Sequence, residues 1–289
     1  MDRENDIMDG KTCVVTGATS GIGRVTARAL AEKGATLVVV GRNEEKCRHT
    51  VREIREATGN KDVEYLLADL SIQQQVRQLA EQIRVRYDSL DVLVNNAGAI
   101  FTSRQETDDG LEKTFALNHL SYFYLSNLLI DKLKECAPSR IVNVASGAHR
   151  GHQIDFDDLA RQQGYRSQQV YGESKLANIL FTYELARRLE GSGVTVNALH
   201  PGFVASNFGT NNGPLVTWFM KFLHLFGRSP EEGAETVIYL ASSPEVEAVS
   251  GKYYMDKEPV KSSPESYDRE SALKLWEISM EITGLEVTV

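Results

Sequence analysis

The sequence predicts an α/β fold: a doubly wound, parallel, seven-stranded sheet with helices on both faces, in a single domain. Three observations lead there. Short β-branched runs alternate with longer helical patterns. The runs are continuously apolar, as strands covered on both faces must be. No internal repeat, low-complexity tract or Pro/Gly-rich linker breaks the series, and 289 residues with 42% hydrophobic and 25% charged content supply one large core. Residues 1–10 read as a polar tail and 11–289 as the domain.

In chain order, the expected strands are Thr12–Thr16, Thr36–Val40, Val63–Leu67, Asp91–Val94, Arg140–Val144, Val194–Leu199 and a weaker Lys252–Met255. Helical patterns occupy Gly23–Lys33, Glu44–Ala57, Ile72–Tyr87 and Leu176–Glu190. Two stretches depart from the alternation: a polar loop from Gly147 to Gln169, and Phe203 to Arg228, rich in apolar and aromatic residues. Both follow strands, so both emerge at the carboxyl edge, where open α/β sheets bind ligands.

Composition narrows the function classes. A formal net charge of −8 leaves no basic surplus to neutralise phosphates, which argues against a nucleic-acid partner. Three scattered cysteines, Cys13, Cys47 and Cys136, form neither a disulfide framework nor a CxxC pair and point to a reducing compartment. Met1–Gly10 has no apolar signal region, and no run approaches the roughly 20 apolar residues of a membrane span. The expectation is a cytoplasmic protein without a transmembrane segment. His149 and His152 lack the Cys or carboxylate register of a metal site and read as loop residues, so no metal is expected. Asp155, Asp157 and Asp158 read as a solvated acidic cluster, and no G-x-S-x-G elbow suggests hydrolase chemistry.

The segment Thr16-Gly17-Ala18-Thr19-Ser20-Gly21-Ile22-Gly23 lies between the first strand and the first helix. Gly17 suits a tight turn off the strand; Gly21 and Gly23 let a pyrophosphate approach the backbone at a helix N-terminus. The context is that of a Rossmann-type dinucleotide site, although the G-x3-G-x-G spacing differs from G-x-G-x-x-G. After the second strand, Gly41 occupies the position where an acidic residue would hold the adenosine ribose, and Arg42 follows. A guanidinium pairs well with a 2′-phosphate, so the reading is NADP(H) rather than NAD(H); the competing reading is an exposed arginine with no ligand.

The Thr-Gly-x-x-x-Gly-x-Gly pattern resembles the cofactor loop of the short-chain dehydrogenase/reductases. That resemblance implies cofactor contacts from Gly17, Thr19, Ser20, Gly21, Ile22 and Gly23, and from Arg42 with Asn43. The family often adds a basic residue just before Gly21, where this chain has Ser20. It further implies adenine contact at Asp69-Leu70 and a sheet-steadying, cofactor-lining element in Asn95-Asn96-Ala97-Gly98. Pro201-Gly202 resembles the element that packs on the nicotinamide, with Val204 beside it, and Ser206 stands where the family commonly has Thr to contact the carboxamide.

Tyr171-Gly172-Glu173-Ser174-Lys175 places a tyrosine and a lysine one turn apart on one helix face. A free tyrosine titrates near ~10, and bringing it to neutrality needs roughly 4 kcal/mol, close to what one ammonium at ~4 Å supplies in a partly dry site. Tyr-x-x-x-Lys alone is weak evidence; in register with the other motifs it resembles the family's catalytic pair. The resemblance then implies Tyr171 as general acid/base, Lys175 on the nicotinamide ribose, Ser146 on the substrate oxygen, and Asn118 binding a water in a proton relay through Lys175.

The resemblance runs from about Gly10 onward and is strongest to the retinol dehydrogenase and WW-domain oxidoreductase branch, through Ser139–Val144, Ser174–Phe181, Glu184–Leu189 and Leu199–Gly202. It implies a carbonyl/alcohol interconversion on a lipophilic retinal-like, steroid or aromatic substrate. The segment 214–226 reads either as a lid over such a substrate or as a helix packed on a neighbour or a membrane surface. Two other functions stay open, a non-catalytic dinucleotide-binding scaffold or redox sensor and a reductase of a carbon–carbon double bond. In the resembled family the Tyr-Lys helix often builds a homodimer or homotetramer interface; Leu176, Ile179, Leu180 and Tyr183 could serve that or the chain's own core.

Overall fold

A computed structural model describes residues 7–204 and 227–285. Ser206, the stretch 214–226 and most of the expected lid lie outside the described residues. Seven strands form a parallel sheet: β1 (Thr12–Thr16), β2 (Thr36–Gly41), β3 (Val63–Leu67), β4 (Val92–Asn95), β5 (Ser139–Val144), β6 (Val194–His200) and β7 (Tyr253–Met255). An eighth, two-residue strand, β8 (Glu258–Pro259), pairs antiparallel with β7, so the sheet has eight strands rather than the seven expected. Its shortness and its proline hide it from a hydrophobic-pattern reading.

The strand order is β3-β2-β1-β4-β5-β6-β7-β8. The chain reverses direction across the sheet between β1 and β4, and the loops leaving those strands diverge to open a crevice at the carboxyl edge. Alternate residues of β1 show the double winding. Val14 belongs to the core under α3 (Gln73–Arg86), α5 (Ser121–Glu135) and α6 (Ser167–Arg188). Cys13 and Val15 belong to the core under α1 (Gly21–Glu32), α2 (Glu44–Thr58) and α7 (Pro230–Ser242).

Local chemistry sets the helix ends. Asn43 caps α2 by accepting from Lys46 N at 2.9 Å. Ser229 and Glu232 form a capping box at α7, with Pro230 in the first turn. A short helical turn, α4 (Lys113–Phe115), runs into a π-helical turn over Ala116–Leu120 before α5. The last described helix, α8 (Arg269–Thr283), begins at the Asp268 cap and lies over α6 and α5. Trp276 on α8 is 5% exposed, its ring 4.9 Å from Phe123 and 6.0 Å from Phe181, with the Arg188 guanidinium 4.1 Å over its face. Leu176 and Leu180 pack with Ala272 and Leu275 of α8, while Ile179 and Tyr183 pack with Tyr253. The four positions left open between an interface and the core are therefore spent on the chain's own core. Among the described residues no helix is long and apolar enough to cross a membrane.

Candidate active site

The loop after β1 is drawn tightly against the loop after β4. Gly17 adopts φ 65°, and a Cβ there would meet the Ala97 Cα at 2.8 Å. The Thr16 hydroxyl donates to Val94 O at 3.2 Å and accepts from Asn96 N and Ala97 N at 2.9 and 3.1 Å. Asn96 Nδ2 returns a bond to Thr16 O at 2.8 Å. The Asn96 amide and the Gly17 carbonyl also fill the space a side chain on Gly23 would need. Ser20 stands at the N-cap of α1 without a side-chain cap, and the first turn carries no acidic residue. The N-terminus of α1 thus faces the carboxyl edge with its positive dipole end and backbone N–H groups, the arrangement a pyrophosphate requires. The residues present fit a dinucleotide.

At the end of β2, a Cβ on Gly41 would lie 2.7 Å from Cys47 Sγ and 2.9 Å from Thr19 Cγ2, so packing leaves no room for a ribose-binding carboxylate. Arg42 is exposed and stands 3.6 Å from Asp69 Oδ2. Burial works to raise the Asp69 carboxyl, but hydrogen bonds from Ser71 and the nearby Arg42 outweigh it and hold the group below the usual carboxylate range. Asn43 turns its side chain to the α2 cap, and Leu70 is buried. Asn95 is buried within the layers, bonding Ser126 and Asn143 at 3.0 and 2.9 Å; Asn143 continues to Thr182 of α6. Asn95 thereby ties β4 to β5 and to the helices beneath them, while Ala97 and Gly98 reach the crevice side of the loop.

Four predicted catalytic positions converge at the ends of β4 and β5. Ser146 follows β5, and its Oγ accepts from Ala148 N at 3.2 Å and hydrogen-bonds the Tyr171 side chain. Tyr171 is half-buried on the first turns of α6. Lys175, one turn on, donates to Val144 O at 2.9 Å and holds its Nζ 5.8 Å from the Tyr171 ring and 5.6 Å from the Tyr122 ring. Asn118 sits in the π-helical turn, where the wider winding resets the face that its side chain presents. Its amide pairs with Ala99 N and O, both at 2.9 Å, and donates to Ser174 Oγ at 3.0 Å. Ser174 in turn donates to Tyr171 O at 2.7 Å. A Cβ on Gly98 would be 3.2 Å from Asn118 Oδ1 and 3.5 Å from Lys175 Nζ, so the loop, Asn118 and Lys175 meet here.

The electrostatics depart from the sequence expectation. Burial pushes the Tyr171 phenol up to about 12, against an opposing hydrogen bond from Ser146. Burial also pulls the Lys175 amine down to about 7. From spacing alone, the lysine should draw the tyrosine toward neutrality; the dryness that would strengthen that pull also weakens the lysine's own charge. Both groups lean to their neutral forms.

Several contributors leave little mark in the sequence. Ser174 lies inside the Tyr171–Lys175 pentapeptide, yet nothing in its spacing marks it as the link between Asn118 and Tyr171. Glu173, between the two catalytic candidates, is buried and paired with Arg161, which also reaches Asp155 at 3.0 Å. Arg161 adopts φ 49°, so the polar loop is folded to deliver it. Tyr165 donates to Phe101 O at 3.0 Å and Arg104 to Ala160 O at 2.8 Å, joining the loops after β4 and β5 into one wall. On the other side, Pro201 and Gly202 follow β6; Val204 bridges to Arg228 and fills the space beside Gly233 of α7, close to Ile22.

A nucleotide-type crevice at a topological switch point, beside a Tyr-Lys helix turn and a strand-end serine, defines a class of dinucleotide-dependent oxidoreductases. The family model described as short chain dehydrogenase matches residues 11–214. The chain belongs to the short-chain dehydrogenase family. Within it, the chain resembles the retinol dehydrogenase branch. It is 43% identical to human retinol dehydrogenase 13 over 283 residues, covering 96% of this chain and 86% of the relative. With human retinol dehydrogenase 14 it shares 44% over 295 residues, covering 96% and 88%. Among solved structures, an uncharacterised protein from Mycobacterium paratuberculosis aligns with a TM-score of 0.80 at 32% identity, covering 98% of this chain and 96% of that one. RhlG of Pseudomonas aeruginosa, solved as an NADP active-site complex, aligns with a TM-score of 0.69 at 28% identity, covering 88% and 96%.

Proposed function

We propose that this chain is an NADP(H)-dependent oxidoreductase that interconverts a carbonyl and an alcohol on a lipophilic substrate, with Tyr171 as the proton-handling group. The observation that carries the reading is the convergence of Ser146, Tyr171, Lys175 and Asn118 beside the Gly17–Gly23 loop. A bound nicotinamide supplies or accepts the hydride. The chain's own residues do the rest. Ser146 orients the substrate oxygen and stabilises its developing charge; Tyr171 delivers a proton to that oxygen in reduction or removes it in oxidation; Lys175 holds the ribose side of the cofactor. Asn118, pinned through Ser174 to the Tyr171 turn, fixes the backbone at which a relay water would sit. A scaffold without turnover has no need of this set.

The neutral leanings of the site favour the protonated phenol, which is the form that reduction uses. Expected, therefore, is a kcat/KM for oxidation that climbs with pH from about 7 to about 10 without levelling off, because a phenol held at about 12 is still almost wholly protonated there, with no such climb for reduction. Parallel climbing in both directions would contradict Tyr171 as the donor.

The NADP(H) preference rests on the packed-out Gly41 and the exposed Arg42. Arg42→Ala is expected to weaken NADPH by about 10- to 100-fold, the worth of a charge-assisted contact, and to leave NADH nearly unchanged. Titration of both cofactors by fluorescence checks it, and equal losses would remove the phosphate reading.

The lipophilic substrate is supported by the retinol dehydrogenase relatives and by Phe203, 55% exposed at the crevice rim. Turnover of a panel of lipophilic aldehydes and ketones, all-trans-retinal included, with NADPH and with NADH, tests substrate and cofactor together. Tight NADPH binding without carbonyl turnover would favour the scaffold or double-bond readings.

A further inference from the structure

The loop that follows Ser146 contains a second, wholly buried group facing away from the crevice. His149 is 0% exposed. Its Nδ1 lies 2.6 Å from the carbonyl oxygen of Ser146, and its Nε2 lies 3.0 Å from the backbone nitrogen of Ser263. The second contact decides the proton's position. A backbone N–H can only donate, so Nε2 must accept and carries no hydrogen. The proton is then on Nδ1 and is donated to Ser146 O. Tyr253 packs edge-on against the ring at 5.1 Å.

We propose that His149 is a positioning residue for Ser146: the Ser263 N–H fixes the tautomer of the ring, and the Nδ1 proton clamps the Ser146 carbonyl and with it the turn that keeps the serine hydroxyl on Tyr171. The inference rests on the role proposed for Ser146. Ser146 ends β5 in extended backbone, φ −162°, and its carbonyl also accepts from His149 N at 3.3 Å. One carbonyl thus receives two bonds from one residue. Rotation of the Ser146–Gly147 peptide would break both and loosen the Gly147–His149 turn, whose Ala148 N–H donates to the Ser146 hydroxyl at 3.2 Å. The Ser263 side of the clamp is equally fixed, since Ser263 is 2% exposed. Charged neighbours work in both directions. Burial lowers the imidazole, the Ser146 contact opposes that, Arg150 and His152 add to the lowering, and Glu265 opposes it; His200 stands close on β6. The balance keeps the ring neutral, as the clamp needs.

Two variants separate the ends of the clamp. His149→Asn places an amide nitrogen where Nδ1 stood and can still donate to Ser146 O. His149→Gln extends an amide oxygen toward Ser263 N and abandons Ser146. The expected result is a kcat loss of about 10- to 100-fold in His149→Gln, the scale of a misplaced catalytic group, with NADPH affinity unchanged. His149→Asn should keep kcat near wild type although it is the less stable of the two by thermal unfolding, because it leaves Ser263 N–H without an acceptor. Equal kcat losses, or losses that follow stability, would overturn the proposal. Wild type and Tyr171→Phe run alongside: if wild type turns over no carbonyl, or Tyr171→Phe is as active, the oxidoreductase reading fails instead. Side-chain 15N NMR needs no turnover; a proton on Nδ1 at neutral pH supports the clamp, and one on Nε2 or on both nitrogens overturns it.

Discussion

Tyr171→Phe is expected to lower kcat for carbonyl reduction by about a thousand-fold, within the 10²–10⁴ range of a general acid–base group, and to leave NADPH binding intact. The substitution removes one oxygen and keeps the ring. The Lys175 amine would still lie over that ring, and the Ser174 bond to the residue's backbone would remain, so the helix and Asn118 keep their places. What disappears is the hydroxyl that faces Ser146 and the proton that it holds at neutral pH. Lys175 is a poor substitute as proton donor, because its amine is engaged with Val144 O. Single-turnover reduction followed at the NADPH absorbance, beside cofactor binding by fluorescence, gives the two numbers needed. A variant that binds NADPH and reduces carbonyls within about tenfold of wild type would mean that protonation does not limit the reaction or comes from elsewhere.

Trp276→Ala is expected to destabilise the fold by about 3–5 kcal/mol, the usual cost of emptying a buried tryptophan site. The ring contacts Phe123 of α5 and Phe181 of α6 and carries the Arg188 guanidinium, so its removal opens a cavity at the junction of three helices. Against a total stability of about 5–15 kcal/mol, that loss is a large fraction. Urea denaturation at a temperature where the variant is still folded measures it. Because Trp276 lies on the far side of α6 from the crevice, the folded variant should keep its KM for NADPH. A loss below about 1 kcal/mol would show that α8 is only laid on the surface.

Much of this architecture is legible in the residues. The central strands are readable because they are short, apolar runs rich in β-branched residues, and Val63–Leu67 and Thr12–Thr16 fall at the expected boundaries. The Gly17–Gly23 loop and the Tyr171–Lys175 turn are readable because their chemistry demands particular residues at fixed spacing. Other parts leave no such trace. The helix from Ser121 to Glu135 is mostly buried and has no clean polar face, so periodicity does not announce it. The start of α6 at Ser167 hides in polar residues that resemble a loop. Asn95 reads as part of a cofactor motif, but its burial between Ser126 and Asn143 depends on strand pairing that no local pattern encodes. The direction of the Tyr171 shift is hidden for a related reason. Spacing reveals that a lysine is near, not how dry both groups become.

The placement of α8 has a consequence in time as well as space. Every residue of α6 from Gly172 to Leu185 is buried, and part of that cover comes from Ala272, Leu275 and Trp276. A growing polypeptide therefore carries its Tyr-Lys segment out of the ribosome before the α8 part of its cover is synthesised. Until residues 272–276 clear the ribosome, the flank of α6 that they cover lacks that part of its packing. Translation thus sets the earliest moment at which α6 can take up its full cover.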